Sequence, residues 1–199
     1  MSRIIFAIRN GWRQRHRLKE FLTNPSLQLA SLNDLTVEMI EAAHVAVVVL
    51  DFDGVLAPHD SNRPTPEAHK WLEKLCLSVG EPRVAILTNK AKPERLRYFR
   101  EHFPGIQVVQ GVAKKPYPDG IWEIANYRGI ESSRLLLIDD RLLTGMLAAT
   151  LAPCQARYFS KPLKSFRRHF FKEMFFSLLR FLECCWIRAL GGHKNLSLH

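Results

Sequence analysis

The sequence predicts an α/β fold in which a mostly parallel sheet is covered by helices on both faces. Short apolar runs rich in β-branched residues alternate along the chain with longer segments of helical character. Strands that alternate with helices are joined by crossover connections, and such connections make neighbouring strands parallel. The chain has 199 residues, of which 47% are hydrophobic, so it is long enough to bury the core of one domain.

The predicted elements follow one another in a regular order. Each strand is a short apolar run bounded by turn residues; strands are expected at 45–51, 83–89, 106–111, 134–140 and 155–160. Helices are expected between them, at 65–80, 92–103, 117–129 and 141–151. Pro66 near the start of the first of these helices and Gly80 at its end are typical helix boundaries.

Polar residues follow three of the predicted strands. They are Asp51 and Asp53, then Thr88 and Asn89, then Asp139 and Asp140. In an open parallel sheet, ligands bind outside the carboxyl ends of the strands. Four aspartates gathered at that edge would repel one another unless a cation lay between them, and carboxylate oxygens suit Mg²⁺. The sequence therefore predicts a magnesium site there.

Four short motifs carry a resemblance to a known family. They are "DFDGV" at 51–55, "LTN" at 87–89, "KKP" at 114–116 and "IDD" at 138–140. In this order they resemble the motifs of the haloacid dehalogenase (HAD) phosphatase superfamily, which has a Rossmann-like parallel sheet. The flanking sequence is similar to the YqeG-like branch of subfamily IIIA, related to phosphatidylglycerophosphate phosphatases. With those flanks the resemblance covers roughly residues 24–160.

The resemblance implies a catalytic role for each motif. Asp51 would attack phosphorus and form an aspartyl-phosphate, and Asp53 would act as general acid and then as general base. The Thr88 hydroxyl would hold phosphoryl oxygens. Lys115 would neutralise charge on the phosphoryl group. Lys114 is the alternative to Lys115, which we favour because the lysine of the family precedes proline.

The resemblance also implies which residues bind Mg²⁺. They are the Asp51 carboxylate, the Asp53 backbone carbonyl, and either Asp139 or Asp140. The YqeG-like pattern has Gly-Asp where this chain has Asp139-Asp140, and it has a second Asp where this chain has Gly145. That alignment makes Asp140 the ligand, while other HAD branches use a double Asp, so both aspartates remain candidates.

The spacing of the motifs indicates an open site. Only about one helix separates the first motif from the second, and only a few residues separate the third strand from Lys115. We therefore expect no substantial cap domain. An uncovered site suits a bulky molecule that presents its phosphate.

The net charge of +10 is concentrated at the two ends of the chain. Residues 1–22 hold six Lys or Arg against one Glu, residues 161–199 hold eight against two, and residues 23–160 are close to neutral. Basic ends rich in aromatic residues are typical of attachment to anionic membrane surfaces. We therefore divide the chain into a basic amphipathic segment (1–22), a HAD-like domain (23–160) and a basic aromatic C-terminal helix and tail (161–199).

A helix with two different sides is expected at 165–190. Its apolar side consists of Phe166, Phe170, Met174, Leu178, Leu182, Cys185 and Ala189, flanked by Phe171, Phe175, Leu179 and Trp186. Most of the charged residues lie on the other side: Arg168, His169, Lys172, Glu173, Arg180 and Glu183. Two interpretations remain open. The terminal helices either pack on the domain or on each other, or they lie in the plane of an anionic bilayer.

The leading functional hypothesis is a Mg²⁺-dependent phosphomonoesterase that acts on a membrane lipid phosphate, such as phosphatidylglycerophosphate. The four cysteines show no metal spacing and indicate reduced thiols, so we expect a cytoplasmic protein bound peripherally to the inner face of the membrane. The enzyme alternative is a polynucleotide or small-metabolite phosphatase, which the near-neutral central domain disfavours for nucleic acid. The other alternative is a membrane-bound scaffold with a vestigial site. The oligomeric state stays open.

Overall fold

A six-stranded parallel sheet forms the centre of the protein. The computed structural model describes residues 2–110 and 113–190, with side chains for all of these except 166–169. The strands are β1 (Gln28–Leu29), β2 (Val47–Leu50), β3 (Val84–Leu87), β4 (Gln107–Val109), β5 (Leu135–Asp139) and β6 (Gln155–Phe159). Their order across the sheet is β1-β6-β5-β2-β3-β4, and every pair is parallel.

Helices cover both faces of this sheet. They are α1 (Arg3–Arg13), α2 (Arg15–Thr23), α3 (Val37–Ala42), α4 (Pro66–Val79), α5 (Pro93–His102), α6 (Asp119–Arg128), α7 (Leu147–Leu151) and α8 (Phe166–Leu190). Side chains alternate along β2, so Val48 and Leu50 pack with α3, α4 and α5, while Val47 and Val49 pack with α2, α6 and α7. Burial on both faces explains why the central strands are apolar throughout.

The structure confirms the predicted fold class and the predicted order of strands and helices. The strands are shorter than predicted, and Gly111, at the end of the third predicted strand, lies outside the described residues. The segment predicted as a helix at 141–151 consists of a π-helical turn, Leu142–Met146, followed by α7. Among the described residues, no cap domain is inserted between β2 and β3 or between β4 and Lys115.

The terminal helices contribute to the core of the central domain. Leu18 and Phe21 of α2 and Ile187 of α8 are buried among residues of the sheet and of α6 and α7. The core therefore extends across the predicted divisions at residues 22 and 160. None of the helices within 2–110 and 113–190 combines the length and apolar character that a membrane span requires.

Candidate active site

Two aspartates follow β2 at the carboxyl edge of the sheet. The Asp51 backbone N–H continues the sheet by donating to the Ile138 carbonyl at 2.9 Å, and the Asp51 side chain is mostly buried. Gly54 then turns the chain away with a φ of +92°. A Cβ at this position would lie 2.5 Å from Asp140 Oδ2, so both the turn and the approach of the Asp140 carboxylate require glycine.

Lys115 links two of the predicted motifs at this edge. Its buried Nζ donates to Asp51 Oδ1 at 2.8 Å and to Asp139 Oδ2 at 2.5 Å. Asn89 holds the backbone beneath it, because the Asn89 Oδ1 accepts from the Lys115 N–H at 2.8 Å. Lys114 is exposed. Of the two candidate lysines, Lys115 is the one that contacts Asp51 and Asp139.

The charges at this edge shift the pKa values of both partners. Burial alone would lower the pKa of the Lys115 ammonium, but the Asp139 and Asp51 carboxylates raise it above its ordinary value. Burial raises the pKa of Asp51 well above its usual range, opposed by Lys115 and reinforced by Asp139 and Asp140. The charge of Lys115 therefore does not offset the combined effect of burial, Asp139 and Asp140 on the pKa of Asp51.

The carboxylates of Asp51, Asp139 and Asp140 form a cluster that fits a divalent metal ion. Each has an oxygen within 4.8 Å of an oxygen of the other two. Both Asp139 oxygens have donors, from Lys115 Nζ and from the Arg141 N–H. In contrast, Asp140 Oδ1 is buried and has no hydrogen-bond partner. A buried carboxylate oxygen without a donor is suited to a cation, so Asp140 offers the free ligand atom.

The Asp53 carboxylate is paired with a buried arginine. Arg95 of α5 donates from Nη2 to Asp53 Oδ1 at 2.6 Å and from Nη1 to Asp53 Oδ2 at 2.9 Å. Its Nε donates to the Ser61 carbonyl at 2.8 Å, and its guanidinium lies 3.9 Å from the centre of the Phe52 ring. The fork of Arg95 thus fixes the orientation of Asp53. The Asp53 carboxylate is not part of the cluster of Asp51, Asp139 and Asp140, which is compatible with the backbone-carbonyl role that the resemblance implies for Asp53.

Thr88 is buried beside the same arginine. Its Oγ accepts from the Lys90 N–H at 3.2 Å and from Arg95 Nη1 at 3.3 Å. It does not line the cavity described below, although Asn89 does. To hold phosphoryl oxygens, as the resemblance implies, the Thr88 hydroxyl would have to redirect the hydrogen that it donates to the Lys90 carbonyl at 3.5 Å.

Helix α8 lies across the carboxyl edge of the sheet and turns its charged residues toward it. Arg180 Nε donates to Asp140 Oδ2, and Glu183 Oε1 accepts from Arg141 Nε at 3.0 Å. Glu173 Oε1 accepts from the His59 N–H at 3.0 Å. These three α8 side chains are buried, so three of the six charged residues predicted for one side of the helix face the site, whereas Lys172 is exposed.

The apolar side predicted for α8 is the exposed side. The side chains of Phe166, Arg168 and His169, and the tail from 191 onward, lie outside the described residues. Helix α1 exposes apolar residues beside α8. We call these exposed side chains the outer apolar surface: Ile4, Ile5, Ile8, Trp12, Phe170, Phe171, Met174, Phe175, Leu178, Phe181 and Leu182.

A cavity of about 920 Å³ connects the carboxylates to the terminal helices. Its polar lining includes Asp51, Asp53, Lys115 and Asp140. Its apolar lining comes from α1 and α8: Ile4, Ala7, Ile8, Phe175, Phe176, Leu179, Leu182 and Trp186. The chain thus encloses part of its site with its own terminal helices.

The site residues lie within the segment that matches a known family. Residues 14–163 match the profile of the mitochondrial PGP phosphatase family. The chain belongs to this family. It is therefore a HAD-superfamily phosphatase, an enzyme that hydrolyses phosphoric monoesters, and the predicted relationship is confirmed. No curated protein sequence matches the chain significantly.

Several solved structures resemble this phosphatase at low sequence identity. An uncharacterised protein from Corynebacterium glutamicum is 16% identical, with a TM-score of 0.47 over 76% of this chain and 98% of that one. A HAD-superfamily hydrolase from Ehrlichia chaffeensis is 17% identical, with a TM-score of 0.43 over 68% and 97%. The cobalt-bound deoxy-D-mannose-octulosonate 8-phosphate phosphatase of Haemophilus influenzae is 16% identical, with a TM-score of 0.46 over 75% and 91%.

Proposed function

We propose that this phosphatase is Mg²⁺-dependent and removes the terminal phosphate from a membrane lipid such as phosphatidylglycerophosphate. The single observation that carries the proposal is the continuity between the catalytic edge and an apolar exterior. Ile4, Ile8, Phe175 and Leu182 belong both to the cavity that contains Asp51 and to the outer apolar surface. A lipid held in a bilayer could thus present its phosphate to Asp51.

The proposed reaction uses the aspartates in two steps. The Asp51 carboxylate attacks phosphorus, the bond to the leaving oxygen breaks, and the protonated form of Asp53, with one oxygen released from Arg95, donates its proton to that oxygen. Asp53 then takes a proton from the water that attacks the aspartyl-phosphate, which releases phosphate and restores Asp51. Lys115, which already donates to Asp51, would compensate the charge that develops on the phosphoryl oxygens.

A divalent cation is assigned to Asp51, Asp140 and the Asp53 backbone carbonyl, with Asp139 beside them. When bound there, Mg²⁺ supplies positive charge to the phosphoryl oxygens. The free Asp140 Oδ1 supports this assignment, and an oxygen-only ligand set suits Mg²⁺.

The surroundings of the cavity support an anionic lipid as substrate. Arg3, Lys90 and Lys114 also line the cavity, and their charges suit a headgroup with a second, diester phosphate. The outer apolar surface supports peripheral attachment to an anionic bilayer, because burial of its side chains in lipid is favourable. The four free cysteines fit the proposed location at the cytoplasmic face of the membrane.

A phosphate-release assay on paired substrates tests this function. Wild-type protein with Mg²⁺ should release phosphate from phosphatidylglycerophosphate in anionic vesicles faster than from a DNA 3′-phosphate or a sugar phosphate. Chelation should stop the reaction and Mg²⁺ should restore it. Asp51→Asn should abolish turnover because the amide cannot attack phosphorus, whereas Asp119→Asn at the start of α6 should not. Faster release from nucleic acid or from sugars would favour the corresponding alternative, and turnover by folded Asp51→Asn would refute the nucleophile.

A further inference from the structure

We infer that the groove between α1 and α8 binds the acyl chains of a lipid phosphate and so selects such lipids over small phosphomonoesters. The apolar groove is formed by Ile4 and Ile8 of α1 and by Leu179, Leu182 and Trp186 of α8. The inference rests on the proposed function and deepens it. Part of the lipid would thus leave the bilayer and contact the enzyme during catalysis.

The size of the cavity exceeds what a phosphate group alone requires. Its volume of about 920 Å³ lies near the upper end of the range for sites that enclose a whole small molecule, roughly 300–1,000 Å³. The catalytic carboxylates occupy one part of the lining, and apolar side chains of the terminal helices occupy another. A small sugar phosphate would leave this apolar lining in contact with water, whereas an acyl chain would cover it.

The two walls of the groove are held in place relative to the catalytic residues. At Gly11, a Cβ would lie 3.0 Å from the Trp186 ring and 2.7 Å from Leu143 Cδ2, so α1 and α8 approach closely there. Phe6 packs on Tyr117 with ring centres 4.2 Å apart, close in sequence to Lys115. The buried pair of Glu183 with Arg141 fixes α8 from the other side. These contacts therefore fix the position of the groove relative to the catalytic residues.

Acyl chains are the occupant that this arrangement favours. Ile8 and Leu182 line the groove and are also part of the outer apolar surface, so an apolar path leads from the exterior to the cavity. Basic side chains line the same cavity, including Arg3 and Lys90. A ligand with an apolar body and more than one anionic group matches this combination, and an anionic glycerophospholipid has both.

The chain offers two matched pairs of residues that separate the groove from the outer apolar surface. On α8, Leu182 lines the cavity and Leu178 does not, although their exposed fractions are 51% and 54%. On α1, Ile8 lines the cavity and Ile5 does not, with exposed fractions of 53% and 57%. Within each pair, substitution by Ser should affect stability and bilayer attachment similarly, because residue type and exposure are matched.

The test compares monomeric substrates, so that attachment to vesicles plays no part. Dihexanoyl phosphatidylglycerophosphate below its critical micelle concentration is compared with glycerol 3-phosphate, and the ratio of their kcat/KM values is measured. We expect wild-type protein to favour the lipid. Loss of one half-buried aliphatic contact should lower the ratio about fivefold in Leu182→Ser and in Ile8→Ser. Leu178→Ser and Ile5→Ser should keep the wild-type ratio, and thermal unfolding should show that all four are folded.

Two results would overturn the inference in distinguishable ways. If wild-type protein hydrolyses phosphatidylglycerophosphate in vesicles but all four variants keep the wild-type ratio, the groove does not bind acyl chains, although the proposed function stands. If wild-type protein hydrolyses glycerol 3-phosphate and neither monomeric nor vesicular lipid, the proposed function fails and the groove inference fails with it.

Discussion

Replacement of Arg95 by methionine should weaken both the fold and the general acid–base step. The guanidinium is buried and donates to both oxygens of Asp53, to the Ser61 carbonyl and to the Lys90 carbonyl. Removal of one partner from a buried, hydrogen-bonded ion pair costs about 3–5 kcal/mol. The Asp53 side chain is 16% exposed, so water can partly solvate the carboxylate after Arg95 is removed. We therefore expect a loss of about 3 kcal/mol of stability, at the lower end of this range.

Thermal unfolding and single-turnover kinetics measure the two effects. For a chain of this length, about 3 kcal/mol should lower the melting temperature by roughly 6–12 °C. A general acid that is no longer held in position should slow phosphoryl transfer by on the order of a hundredfold. Arg97→Met is the control, because Arg97 is an exposed arginine on the same helix.

A double-substitution comparison shows whether Arg95 acts through Asp53. In an Asp53→Asn background, Arg95→Met should slow turnover by less than about threefold, because the group that Arg95 positions has already lost its function. The reasoning is wrong if Arg95→Met melts and turns over like Arg97→Met. It is also wrong if Arg95→Met slows turnover by the same factor in the Asp53→Asn protein as in the wild-type protein.

Two further predictions concern the metal-free protein and the membrane. Burial raises the pKa of Asp140 to about 6, opposed by Arg180, so metal-free protein should lose up to about 3 kcal/mol of stability as pH rises from about 4 through 6. Denaturant titrations in chelator at pH 5 and 7.5 should show a smaller loss of stability for Asp140→Asn than for wild-type protein. An equal loss in both proteins would contradict the assignment. The double variant Phe171→Ser/Phe181→Ser should bind anionic vesicles at least about tenfold more weakly in a sedimentation assay. Leu77→Ser, on the exposed surface of α4, should bind as wild-type protein does. Equal binding by wild-type protein and both variants would argue against attachment through α8.

The residues that could be predicted from the sequence are those with a local signal. Asp51 and the pair Asp139-Asp140 follow apolar runs, and Lys115 precedes a proline as the lysine of the HAD motif does, so each could be proposed as a candidate from the sequence. Arg95 could not, because it resembles the other basic residues of α5 and its partner Asp53 is 42 residues away. Its role depends on how α5 packs against the end of β2.

The orientation of α8 could likewise not be predicted from the periodicity of its sequence. The pattern of residues predicted two sides but could not tell which one faces the domain. A helix that packs on a domain normally turns its apolar side inward. Here the partners Asp140, Arg141 and the His59 backbone favour the reverse, and these partners come together only in the folded protein. The two-residue strand β1 is too short for any alternation to reveal it.

The side chains at positions 139 and 145 compete for the same space. A Cβ on Gly145 would lie 2.0 Å from Asp139 Cγ, so the Asp139 carboxylate fills the space that any side chain at 145 would need. In the YqeG-like pattern the glycine and the aspartate stand at the opposite positions. In this backbone, side chains at both positions would require Asp139 to move, and glycine at both would remove the Asp139 carboxylate that Lys115 contacts. We therefore expect positions 139 and 145 to change together among relatives. An acidic residue at one position should accompany glycine at the other, so that one carboxylate serves the same part of the site in either case.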